Sequence, residues 1–95
     1  MYLFLAKAIA AEGHPDFPAK ETHAALIFTV ADDFDQALAK THESMTGLRW
    51  ESVQIEEHAE VNDTSVSQAE EAILRAYQAA KAKGFAVVIY TDPIE

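Results

Sequence analysis

The chain contains no cysteine. Disulfide frameworks, thiolate zinc sites and cysteine nucleophiles are excluded, the fold must be held by packing, and a reducing cytoplasm suits it. Long apolar runs are missing too. The apolar opening, residues 1–6, has no basic stretch before it and is interrupted by Lys7. It reads as a strand rather than a signal peptide, and no run approaches the roughly 20 residues that cross a bilayer, so a soluble protein is expected. Basic residues are scarce, with seven Lys and Arg against 16 Asp and Glu and a formal net charge of −9. Between Glu51 and Glu71 there are none, while Glu51, Glu56, Glu57, Glu60, Asp63, Glu70 and Glu71 follow one another. That pattern disfavours nucleic acid and anionic membranes, and leaves solubility, a cation or a basic protein partner as its uses. Glycine and proline number three each and fall at the breaks between segments.

Three segments, residues 1–9, 23–30 and 85–90, are apolar at nearly every position. Such strands call for cover on both faces. The 95 residues predict one domain spanning 1–95. The connection over 12–20 is long for a hairpin, and Phe17 between two prolines predicts that its middle packs down. Asp33 and Gln36 form a capping box for a helix over 34–45, whose buried stripe is Phe34, Ala37, Leu38, Thr41 and Met45, and Gly47 is expected to end it in the left-handed conformation. Asp32, Asp33 and Asp35 lack the later ligands of a calcium loop, and helix capping accounts for them.

A third strand over 48–61 alternates, with Val53, Ile55, Ala59 and Val61 opposite Gln54, Glu56, His58 and Glu60. Leu48 and Trp50 are out of phase with it. Either a bulge near Glu51-Ser52 reverses the alternation, or Trp50 lies on the other sheet face and anchors a partner. Ser67 and Glu70 predict a second capping box for a helix ending near Lys83, with Ala69, Ile73, Ala76, Tyr77 and Ala80 inward and Gly84 as its left-handed stop.

The expected fold is an α+β two-layer sandwich in the order β-β-α-β-α-β, a four-stranded mixed sheet with both helices on one face. Two helices, each about 10 Å across, suffice for one face of a sheet about 19 Å wide. The arrangement resembles a ferredoxin-like fold in composition but not in element order, and such a superfold does not specify function. The uncovered face predicts a homodimer.

No catalytic or cofactor motif stands out, and no cofactor is expected. Glu56, His58 and Glu60 share one strand face, but alternate residues lie about 6.6 Å apart, too far to converge on one metal ion unaided. A solvated face accounts for them, and with Trp50 they form the expected partner-binding set. His23 opens a buried strand and is the best acid–base candidate, provided that Asp92 or a loop carboxylate holds its other nitrogen. Two uses remain open. One is a small acidic interaction or regulatory domain that self-associates through its sheet, and the other is a cofactor-free enzyme or ligand binder with a pocket between facing sheets of a dimer.

Overall fold

A computed structural model describes residues 1–94. Its elements are β1 (Tyr2–Ala10), β2 (Thr22–Thr29), α1 (Phe34–Gly47), β3 (Trp50–Glu60), α2 (Asp63–Val66), α3 (Glu71–Lys83) and β4 (Phe85–Ile89). The expected order therefore holds, with the second helical segment divided into a single turn and a longer helix. The strands lie in the order β3-β1-β2-β4. Every neighbouring pair is antiparallel, so the sheet is not mixed in its pairing. Because β2 and β3 are both antiparallel to β1, they run parallel to each other on either side of it, joined by α1.

The helices lie on opposite faces, which corrects the expected placement of both on one. The even residues Phe4, Ala6, Ala8 and Ala10 of β1 pack with Ala25 and Ile27 of β2 and with Ala37 and Met45 of α1. The other parity, Leu3, Leu26, Phe28, Ala86 and Val88, packs with Ile73, Ala76, Tyr77 and Ala80 of α3. The physical reason is in the strands themselves. Both parities of β1, β2 and β4 are apolar, so one helix on each face shields both sets of side chains, whereas two on one face would leave the other set in water.

Helix α1 starts as expected, with the Asp33 carboxylate accepting from the Gln36 backbone N–H at 2.8 Å. Its buried Thr41 hydroxyl bonds the Thr29 hydroxyl of β2 at 2.6 Å, so the two polar groups satisfy each other. Gly47 is not left-handed. Leu48 caps the helix at φ −92°, and the left-handed residue is Arg49 at φ 67°. The capping box before the second helical segment is Asn62 with Ser65, not Ser67 with Glu70. Glu70 precedes α3 without a side-chain cap. Gly84 does end α3 at φ 94°, and a Cβ there would meet the Lys40 ammonium at 2.9 Å.

Strand β3 carries two bulges. Lys7 pairs with Gln54 but Ile9 with Glu51, so Ser52 and Val53 together oppose Ala8, and Ser52 sits at φ 51°. This brings Trp50 into phase with Val53 and Ile55 on the α1 face, the first of the two alternatives. Leu5 pairs with Glu57 but Ala6 with Ile55, which leaves Glu56 as a second bulged residue. No helix in the described residues is long and apolar enough to cross a membrane.

Candidate functional site

Each helix covers only part of its face, and the two leftover regions are the candidate sites. On the α1 face, the end of the sheet beyond the helix is closed by the β1–β2 loop. Phe17 folds down onto His23 with ring centroids 4.2 Å apart, and onto Trp50 at 5.7 Å. His14 packs edge-on to Trp50 at 4.5 Å. Its Nδ1 accepts backbone N–H groups from Asp16 and Phe17, which places its proton on Nε2. That Nε2 is buried without a hydrogen-bond partner. A small cleft of about 170 Å³ lies beside Phe17, Leu48, Trp50, Val87 and Ile89.

His23 is fully buried beneath this plug. Its Nδ1 donates to the Tyr90 carbonyl at 2.7 Å, because a carbonyl can only accept. Its Nε2 meets Glu21 Oε1 at 2.9 Å. The carboxylate on the second nitrogen is thus the loop residue Glu21 and not Asp92. Both ring nitrogens are occupied by the protein and the ring is closed to solvent, so His23 ties the loop to β2 and β4 rather than facing a substrate. It also lies on the α1 face, away from the uncovered part of the opposite face. A pocket between two such uncovered faces would not contain it.

On the opposite face, α3 packs on β4 and β2. The half over β1 and β3 is open. Leu3, Leu5, Leu26 and Ala59, with Glu57 and His58, line a shallow concavity of about 380 Å³ there. Lys7, on the same face as Leu5 by alternation, pairs with Glu56 at 3.1 Å. At the far end of α3 the Tyr77 hydroxyl and the Lys81 ammonium both donate to Asp63 Oδ1, at 2.7 and 3.0 Å. These bonds hold the Asp63 carboxyl below its usual range, and the bond to Asp63, followed by burial, pushes the Tyr77 phenol up. The three groups lock the turn before α3 against the helix.

The expected partner set is dispersed. Trp50 is 3% exposed and belongs to the core, where the loop and α1 face enclose it, so it offers no partner a surface. The bulge at Glu56 separates it from His58 and Glu60. Glu56 turns to Lys7 on the open face, whereas His58 packs on Phe34 at 4.5 Å on the α1 face. Glu60 stands opposite Tyr2, where burial and the Glu60 and Asp33 charges raise the phenol. Among the described residues, no three histidine or carboxylate side chains gather as a metal site would require. Leu5 and Leu26 were not singled out in the sequence, although the apolar runs of β1 and β2 contain them, and Glu57 was named only as one of the acidic run. No protein-family model matches the chain, and neither a curated protein nor a solved structure matches it.

Proposed function

We propose that this chain is a small cytoplasmic protein-interaction domain, used as a subunit, inhibitor or regulatory module, that docks through the open half of its sheet and self-associates there. The observation that carries this is the apolar concavity of Leu3, Leu5, Leu26 and Ala59 beside a helix that stops short of covering it. The bulges of β3 support docking by the face rather than by the edge, since they interrupt the row of backbone groups that an added strand would need. Buried His23, with both nitrogens occupied, supports binding rather than acid–base chemistry.

The concavity also favours a second use. At about 380 Å³ it is within the size of small-ligand clefts, so an apolar molecule can occupy the same ground. Native mass spectrometry of freshly purified protein separates the two, because it reports subunit number and retained ligand together. Docking predicts twice the chain mass at micromolar concentration, and Leu26→Lys, folded by circular dichroism, predicts the single mass. A single mass for the parent with a bound small molecule would replace the docking proposal with ligand binding.

A further inference from the structure

We infer that the element seated on the open half of the sheet is helix α3 of a second copy, the two copies being related by a two-fold axis so that each α3 supplies the layer the other lacks. This rests on the docking face proposed above and names its occupant.

Shape carries the first part. Helix α3 stands above β2 and β4, and the bare ground beside it is the pair β1 and β3. Two strands span about 10 Å, the width of one helix. A ridge one helix wide next to a tread of equal width is complementary to itself under two-fold rotation. The outward side of α3, opposite its buried stripe, presents the exposed Glu71, Arg75, Gln78 and Ala82, so the contact it offers the open ground is mainly polar and charged.

Charge carries the second. With a net charge of −9, two copies repel on average, and a self-contact must bring together regions of opposite sign. The chain has such a pair. Arg75, Lys81 and Lys83 place three of the seven basic residues on α3, with Lys81 bonded to Asp63, while β3 turns Glu57 to the open ground beside Glu56, which Lys7 pairs. Arg75 is 78% exposed and meets only Glu71, one turn away on its own helix. Glu57 lines the concavity and has no ion-pair partner among the described residues. The basic partner that the acidic strand fits is therefore on the chain itself.

The test uses Arg75→Glu and Glu57→Lys as two separate full-length variants, each checked for folding by circular dichroism and weighed by light scattering at micromolar concentration. Alone, each variant sets like charges together at both contacts of the pair, and dimerisation should weaken about tenfold. Mixed in equal amounts, the reversed helix of one variant meets the reversed strand of the other, and the dimer should return to parental strength. Parental dimers from either variant alone, or a mixture that stays monomeric, would overturn α3 as the occupant. If Leu26→Lys still abolished that dimer, the docking face would stand without α3, whereas a monomeric parent would overturn both.

Discussion

The two faces of the sheet are covered to unequal degrees, and the difference separates a structural region from an interactive one. Beyond α1, the β1–β2 loop presses Phe17 and His14 onto Trp50 and His23, and the polar atoms beneath are paired with Glu21 and Tyr90. Beside α3, Leu5 lines an open concavity among the described residues, and Lys7 and Glu57 of the same face are exposed. His14, His23 and Trp50 attract a functional interpretation, yet they sit where the structure is most closed. The plain leucines sit where it is open.

The largest effect is expected at the closed end. Trp50→Ala removes the ring against which His14, Phe17 and His23 pack and should cost about 3 to 5 kcal/mol in denaturant unfolding. A midpoint equal to the parent's would mean that the plug is loose and the two regions alike. His23→Ala leaves the Tyr90 carbonyl and the Glu21 carboxylate without their partner and should cost about 3 kcal/mol. Stability unchanged by this substitution, with a new enzymatic defect, would return His23 to catalysis.

Ile73 tests the boundary of the second cluster. It lies on the inward stripe in the first turn of α3 but is only half-buried, so Ile73→Ala should cost about 1 to 2 kcal/mol, less than the loss of a fully buried isoleucine. A larger loss would show that α3 is clamped more tightly than its exposure indicates. On the open half, Leu5→Ser should change unfolding of the single chain by less than about 1 kcal/mol while abolishing assembly in light scattering. If stability and assembly fell in proportion, the open half would be core and the contrast would fail.

The smallest effect is a slope. Asp63 titrates below the ordinary carboxylate range because Tyr77 and Lys81 bond to it. Its contribution is present above the unfolded value of about 4 and is lost as pH falls through the lower folded value. Stability measured from pH 5 downward should therefore fall more gently in Asp63→Asn than in the parent. Equal acid slopes would mean that the three groups do not hold α3 in solution.

Much of the fold was legible because its signals are local. The apolar strands, the Asp33 cap and the Gly84 stop depend on residues within a turn of each other, and each formed as expected. The reversal of alternation at Ser52 was also visible, since Trp50 was out of phase with Val53 and Ile55. The second bulge was overlooked. Its trace is Glu57, a charged residue at the parity of Val53, Ile55 and Ala59, and the shift at Glu56 against Leu5 and Ala6 separates Glu56 from His58. Gly47 followed the same logic as Gly84 and failed, because the left-handed turn comes two residues later, at Arg49.

By itself the sequence determined which segments are strands and helices, that the strands need cover on both faces, and that acidic residues gather on β3 while basic ones gather on α3. These follow from side-chain periodicity and charge, which are written along the chain. Only the tertiary structure decided that the helices take opposite faces, that the loop plugs one remainder and leaves the other bare, and that Glu21 rather than Asp92 reaches His23. Those outcomes depend on strand order and on which surfaces meet, and both are set by packing between residues far apart in the chain.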